Sequence, residues 1–575
     1  MRIRIDFPPR AGGYALALTM FFLAIMLAML ASLTRLTYTQ SSLTERNNLY
    51  NASVSAAEAA TEMAISKMDR DFINQSVNSD LSVYENLTPK TLESGWPVQF
   101  AFSDGKGASD TTGVESLGSA VTMNLNSQFN GLYGLVMPFR VTSSARPLNR
   151  LYDLSATVSQ DIQLASIPVF QFAIFYTLDL EINPGAKMVI NGKVHSNGTI
   201  YTAPENSLTY EDSVTAVGQI FNHRDPNDPN YDNAHQKPTY DAQHLEKVSS
   251  LTLPVGANND PASVRQILEP PPDGEDPDSA VGKERYYNKA DLIVTTDSSG
   301  NVSVKTGGWH LFTAIPPDTT NKFGQTSYSF IKTDNSFKDY REGKSVSVTD
   351  IDVSKLNMWL KNPTKGGQIN DLADGLEGHG INSIYVEDHR PQSGSTLTAV
   401  RVSHGPVLPD DGLTVATELP MYVQGNFNLS NGKEGSSDTS KSKPASLVGD
   451  AITILSNDWQ DDHGKNVSAA NTTVNAALIS GIVKTTKKDY SGGVENFVRL
   501  LENWSGKTLT YNGSMVMMFE SQYATNAWSY GSYYTAPNRK WAFDVNFLDQ
   551  SKLPPGTPQV RKLVRGQWTI LGSEK

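Results

Sequence analysis

The longest apolar stretch runs from Tyr14 to Leu33, YALALTMFFLAIMLAMLASL, and its hydroxyl-bearing positions are Tyr14, Thr19 and Ser32. As a helix rising about 1.5 Å per residue it is about 30 Å long, the thickness of a bilayer's hydrocarbon core. A discarded signal peptide has a shorter apolar region and a small-x-small exit, which this stretch lacks. No Pro or Gly occurs from Tyr14 through Phe72, and Leu36, Leu43, Tyr50, Ala57 and Ala64 recur every seven residues. The pattern predicts one helix that leaves the bilayer and continues with a seam for packing. Its run Ala52–Ala60, ASVSAAEAA, has side chains small enough for another backbone or a sheet to approach closely.

Beyond Phe72 the period changes to two. "MPFRVTSSARP" and "YDLSATVSQDIQLASIPVF" alternate apolar with polar residues, which predicts half-buried strands and a small β domain over 75–166 packed on the helix. From Phe170, "FAIFYTLDLEINPGAKMVINGKVHSNGTIYT" sets short strands between Pro184-Gly185, Asn191-Gly192 and Asn197-Gly198, dipeptides that mark turns. Similar units return as "LPMYVQGNFNLSNG", "ASLVGDAITILSND", "NAALISGIVKT" and "LTYNGSMVMMFES". Units this short bury a face only by stacking on neighbours, which predicts a right-handed β-solenoid, with a β-sandwich as the alternative. It is expected in two segments, 167–221 and 415–575, the second closed by an aromatic-rich cap. Between them, 222–414 reads as a loop-rich region followed by a mixed α/β insert with a helix at Val353–Leu360. Val494, Phe497, Val498 and Leu501 have helical spacing, which predicts a further helix over Gly493–Trp504. The fold class is therefore mainly β with a long N-terminal helix.

Composition narrows the partners. A net charge of -12 excludes nucleic acid as the main one, because phosphate binding needs a positive field. There is no cysteine, so burial and hydrogen bonding hold the fold, and thiolate chemistry is excluded.

Residues 1–74 divide into a leader, the apolar span and its helical continuation. Arg2, Arg4 and Arg10 precede the span against Asp6 alone, which puts the N-terminus in the cytoplasm and everything after Arg35 outside. The short basic leader, Gly12-Gly13, the apolar helix and "SVSAAEAATEMA" with Ala57-Glu58-Ala59 resemble the N-terminal domain of PilX-type, minor-pilin-like pilus-assembly proteins over roughly the first seventy residues. The resemblance implies processing by a prepilin peptidase between Gly13 and Tyr14, with Ala57, Glu58 and Ala59 as the helix motif. Major pilins carry a glutamate at the fifth position after the cleavage glycine; here that position is Leu18, which points to a minor, initiating or tip role. "YSGGVENFVRLLENWSG" and "NRKWAFDVNFLDQSKLPPGTP" also resemble large envelope proteins with PilX-like N-termini.

Candidate chemistry is sparse. His195-Ser196-Asn197 falls at a turn, and neighbours on a strand point to opposite faces, so His195 cannot serve Ser196 as its base. Asp225, Asn227, Asp228, Asp232 and His235 form the densest oxygen-ligand cluster. The interleaved prolines favour a plain solvated loop; the alternative is a structural calcium, with the first four members as its candidate ligands. Asp458, Asp461, Asp462 and His463 form a second such knot. No Walker loop, zinc-protease helix or dinucleotide fingerprint is present in the sequence, and no cofactor is expected. Trp504, Tyr511, Phe519, Tyr523, Trp528, Tyr530, Tyr533, Tyr534, Trp541, Phe543 and Phe547 crowd the C-terminal region, either to stack on sugars or a partner or to close the solenoid.

The expectation is a non-enzymatic, minor-pilin-like envelope protein in type IV pilus-type assembly or surface adhesion. It would be a single-pass protein of the bacterial inner membrane held by residues 14–33, with its body periplasmic or at the cell surface. Its partners would be pilin-like or pilus-assembly proteins and surface polysaccharide. A membrane-tethered carbohydrate-active lyase or hydrolase is the alternative, and a secretion pseudopilin the third reading.

Overall fold

The computed structural model describes residues 14–90, 96, 98–148, 152, 154–255, 260–322, 324–528 and 533–571. The leader with Gly13, and Tyr530 among the aromatics, lie outside the described residues. The uninterrupted N-terminal pattern forms one helix, α1 (Tyr14–Ile73), of 60 residues, about 90 Å long. Its buried row starts at Leu49 and steps by three and four through Ser53, Ala57, Ala60, Ala64, Met68 and Phe72. The seven-residue row predicted from Leu36 is therefore a seam only in its second half. Leu36 and Leu43 are exposed, and Ala57 and Ala64 are buried.

The buried half of α1 lies on an antiparallel sheet. Its strands are β1 (Phe100–Ser103), β2 (Gly113–Ser116), β3 (Val121–Asn124), β4 (Tyr133–Pro147) and β5 (Ala156–Pro168). The first three all pair with β4, and β4 pairs with β5. Ala56, Ala57 and Ala60 pack with Phe100, Phe102, Ala145 and Val158; Ala64, Ile65, Met68 and Phe72 pack with Tyr84, Phe139, Val141 and Leu164. Alanine on one side and aromatic or branched residues on the other let helix and sheet approach without voids.

The strand beyond β5 in this sheet is Gln559–Leu571, antiparallel, with Val560 beside Ile167 and Leu571 beside Thr157. This corrects the expected boundary at 415–575: the last strand completes the helix-bearing sheet instead of capping the later β region. Two strands nearly four hundred residues apart leave no local trace of their pairing in the sequence.

Most of the rest of the body is built of parallel ladders, with short antiparallel strands added within residues 302–339. Ile174, Val194 and Val214 stand side by side, as do Leu180, Ile200 and Ile220, and Met188 and Leu208. Each set is spaced by twenty residues. The Asp/Asn/Pro-rich stretch after Phe221 is a loop within one such repeat, and the strands resume at Thr239–Tyr240 and His244–Leu245.

Residues 292–520 alternate between two more parallel ladders. One holds Leu292–Thr296, Ser383–Asp388, Leu413–Ala416, Ala445–Gly449, Thr472–Ile482 and Thr508–Glu520. The other holds Lys344–Asp352, Thr396–Ser403, Met421–Gln424, Ile452–Leu455 and Val498–Leu500. Residues 285–414 are thus not a separate insert, because their strands stand in the same ladders as those after 415. The helix Val353–Leu360 has the predicted ends. The helix predicted over Gly493–Trp504 is instead a turn, Val494–Asn496, leading into the strand Val498–Leu500. That strand is three residues long and buried on both faces, with Arg499 paired to buried Glu342, and so short a run shows no period by which to tell it from a helix.

The two regions join out of chain order. Met515, Val516 and Met517 pair in parallel with Ile174, Phe175 and Tyr176, so strands from 292–520 come first in space and those from 174–245 follow. The connecting segment runs back along the outside. Leu251 O accepts from Asn197 Nδ2 at 2.7 Å, Arg265 Nη1 donates to Asp450 Oδ1 at 2.9 Å, and Leu268 O accepts from the Tyr385 hydroxyl.

Candidate functional site

The free half of α1 is the most prominent surface feature. No residue of its most apolar 18-residue window is buried, the window's mean hydropathy is 2.5, and the helix is long and apolar enough to cross a membrane. Two of its threonine hydroxyls are bonded within the helix: Thr19 Oγ1 donates to Leu16 O and Thr34 Oγ1 to Leu30 O, both at 2.9 Å. Hydrocarbon can therefore surround these threonines without stranding their donors. Tyr14, the residue after the predicted processing point, is fully on the surface. In the motif, Ala57 is buried under the sheet, Ala59 is half-buried and Glu58 faces solvent. A contact that sequence reasoning passed over is made by Glu62, one helical turn beyond Glu58, which pairs with Arg565.

The other predicted residues are scattered. His195 is buried against Phe172 and Phe175, with Nδ1 on Thr215 Oγ1 and Nε2 on Asn197 Oδ1. Burial lowers its pKa to about 4. Ser196 Oγ donates instead to Leu178 O at 2.7 Å, so His195 and Ser196 are not brought together. Asp225 and Asp228 are buried, while Asn227, Asp232 and His235 are exposed. Asp225 Oδ1 accepts from the Asn227 N–H and Asp228 Oδ1 from the Asn230 N–H, both at 2.7 Å, and Asp228 Oδ2 receives Arg224 Nη1 at 3.1 Å. These carboxylates hold turns and neutralise a buried arginine. Among the described residues, no group of three or more His, Asp or Glu side chains is arranged to hold a metal ion. In the second knot Asp461 Oδ1 takes Arg401 Nη1 at 2.6 Å and Trp459 Nε1 at 3.1 Å. Of the C-terminal aromatics, Trp504, Tyr511, Phe519, Tyr533, Tyr534, Phe543 and Phe547 are buried, and Tyr523, Trp528 and Trp541 half-buried. Buried rings offer no stacking platform.

Two polar concavities were not legible in sequence. One is a cleft of about 620 Å³ lined by Lys289, Asp291, Glu377, His379, Ser383 and Asp411 among others. Asp291 Oδ2 accepts from the Asn382 and Ser383 N–H groups and from Ser383 Oγ, and burial raises its pKa. The other is a small cavity where the two ladder regions meet, lined by Tyr176, Asp179, Glu181, Arg341, Asn496 and Arg499 among others. Glu181 Oε1 accepts from Thr485 Oγ1 at 2.5 Å and Ser491 Oγ at 3.0 Å, while Oε2 has no partner. Burial pushes Glu181 and nearby Glu495 each up to about 7. These groups come from distant parts of the chain, and no local spacing announces them.

No family model matches this chain, and neither does any curated protein. Among solved structures, the chain is similar to the competence-associated pilin ComZ from Thermus thermophilus, with 12% identity over 90% of this chain and 96% of that chain and a TM-score of 0.27.

Proposed function

We propose that this is a non-enzymatic, minor-pilin-like envelope protein that acts in type IV pilus-type assembly or surface adhesion. The observation that carries the reading is the division of α1. One half is bare and apolar, for a bilayer or a bundle of like helices, and the other is seated by alanines on an antiparallel sheet. The resemblance of the first seventy residues to PilX-type proteins supports the same reading, and the basic leader supports a cytoplasmic N-terminus. The parallel ladders with twenty-residue spacing are read as turns of a right-handed β-solenoid, a stiff body that the anchor presents outside the inner membrane to pilin-like partners or surface polysaccharide. The test is the intact mass and N-terminal sequence of the protein from native membranes, with and without prepilin peptidase. A chain starting at Tyr14 only when the peptidase is present is the expected result. A start at Met1 in both removes the pilus pathway, and a start beyond Ser32 removes the anchor.

The cleft holding Asp291, Glu377, Asp411, Lys289 and His379 favours a second reading, a membrane-tethered carbohydrate-active enzyme, because paired carboxylates in a concavity are what glycosidic cleavage needs. Release of reducing ends from purified envelope polysaccharide by the wild type, lost in Glu377→Gln or Asp411→Asn, would establish it.

A further inference from the structure

The two ladder regions meet through a narrow seam. Among the described residues, the strand pairing across it is the three-residue register of Met515–Met517 on Ile174–Tyr176. The ladder ending at Val498–Leu500 and the one beginning at Leu180–Ile182 do not pair. Residues 483–497 lie between them, without regular structure as far as Gly493 and then in the turn Val494–Asn496. Gly492 and Gly493 sit just before that turn with φ of 93° and 61°, a region open to glycine and costly for other residues. A Cβ on Gly493 would stand 2.6 Å from Glu495 Oε2 and 2.7 Å from the Tyr490 hydroxyl, so the segment is folded tightly over its own acid.

One carboxylate ties the middle of the segment down, while its far end is held by buried Val494 and Phe497 and by Arg539 Nη2 on Glu495 O at 2.8 Å. Glu181 Oε1 receives both the Thr485 and the Ser491 hydroxyls, and the Tyr490 hydroxyl accepts from Asn183 Nδ2 at 3.1 Å. The remaining polar atoms are left over. Glu181 Oε2, the Tyr176 hydroxyl and Arg341 Nη1 all line or border the cavity, are more than nine-tenths buried and have no hydrogen-bond partner. The Glu495 carboxylate approaches the backbone N–H groups of Asn183 and of Glu495 itself, without a full hydrogen bond on either oxygen. The cavity has free space of about 10 Å³, roughly one water molecule. That is too little to hydrate an ionised Glu181, Glu495 is buried beside the cavity without lining it, and burying an ionised group without partners is expensive.

We propose that residues 483–497 form a proton-gated lid over the seam, closed on Glu181 and Glu495 in their neutral forms and lifted when they ionise. The charges around the two acids come from every side. Asp225 and Asp228, on the loop after Phe221, repel a charge on Glu181, while Arg224 and Arg539 attract one on Glu495. Asp179, Arg341 and Arg499 line the cavity, and the phenols of Tyr176 and Tyr490 face both acids. Burial is the largest influence on both carboxyls and holds them up to about 7, against an ordinary value of 4.5. The sign follows. A carboxyl raised in the closed state favours closure fully below its ordinary value, and that preference is lost as pH rises toward 7.

Hydrogen exchange on the full chain in a bilayer disc, corrected for the intrinsic pH dependence of exchange, tests the lid. Protection of amides in 483–497 should fall about tenfold per pH unit for each acid released between pH 5 and 7 and level off above. Amides of Ile174–Tyr176 and Leu180–Ile182 should hold steady and serve as the internal reference. Glu181→Gln with Glu495→Gln should keep the lid at its acid-side protection throughout, and each single variant should halve the logarithmic slope. A flat wild-type profile overturns the proposal. So does an equal fall in the double variant, or a fall shared by the reference strands, which would make the event a general loosening of the body.

Discussion

Arg565 and Glu62 lie 503 positions apart in the chain and meet in a two-pronged ion pair, Nη1 to Oε1 at 2.5 Å and Nη2 to Oε2 at 2.8 Å. The glutamate is on the helix and the arginine on the last strand, so the pair marks the place where the end of the chain grips its beginning. Both side chains are about half exposed, and exposed pairs contribute little. Glu62→Gln is expected to cost less than about 1 kcal/mol in chemical denaturation. Deleting Gln559–Leu571 strips buried Val560 and Val564 from the core and bares an edge of β5. A much larger loss is expected there, with the helix separating from the sheet in a cross-linking assay between α1 and β4.

The alanine face sets how closely the helix sits. Ala60 is completely buried against the sheet, so Ala60→Leu should destabilise the helix-bearing sheet by about 1–3 kcal/mol through overpacking. The control is Ser55→Leu, on the exposed side of the same helix turns, which should leave the melting temperature unchanged.

Arg265 ties the outer connecting segment to the ladders. It pairs with Asp450 at 2.9 Å and sits over the Phe519 and Tyr523 rings at 5.4 and 5.6 Å, with almost no exposure of either charge. Asp450 also accepts from the Gln522, Tyr523 and Ala524 N–H groups. Arg265→Ala leaves that carboxylate without its counter-charge and should cost about 3–5 kcal/mol, with Arg265→Met milder because it refills the space between the rings. Denaturation midpoints at matched protein concentration would rank the three chains.

His195 gives the fold an acid limit. Burial lowers its pKa to about 4 from an ordinary 6.5, so its contribution is complete above 6.5 and is lost as pH falls toward 4, because only the unfolded chain takes up the proton there. His195→Gln should remove this part of the stability–pH profile, on the order of 3 kcal/mol between pH 7 and 4. Glu181 and Glu495 act with the opposite sign over an overlapping range, so the two limbs separate only when the variants are measured singly.

The helix was legible because its evidence is local: an unbroken apolar and alanine-rich pattern specifies α1 from Tyr14 to the end. The short strands near Asn191-Gly192 and Asn197-Gly198 were legible for the same reason, since each turn carries its own dipeptide. What was lost is contact between distant segments. Nothing around Val560 says that it lies beside Ile167, and nothing around Met515 says that it lies beside Ile174. Val494, Phe497, Val498 and Leu501 matched a helical period by coincidence: Val494 lies in the turn, Val498 in the strand and Phe497 and Leu501 beside it, each buried for its own reason. The seam acids escaped notice because Glu181 and Glu495 look like ordinary surface glutamates until other parts of the chain cover them.

The pairing of the last described strand with β5 makes completion of the helix-bearing sheet wait for a segment nearly four hundred residues further on. A chain made from its N-terminal end presents α1 and the bare edge of β5 first, and the strands of 174–245 follow before their neighbour Thr508–Glu520 exists. Until Gln559–Leu571 emerges, that edge stays open to any passing strand. A chain halted before Gln559 therefore keeps a strand edge bare, whereas one extended through Leu571 covers it.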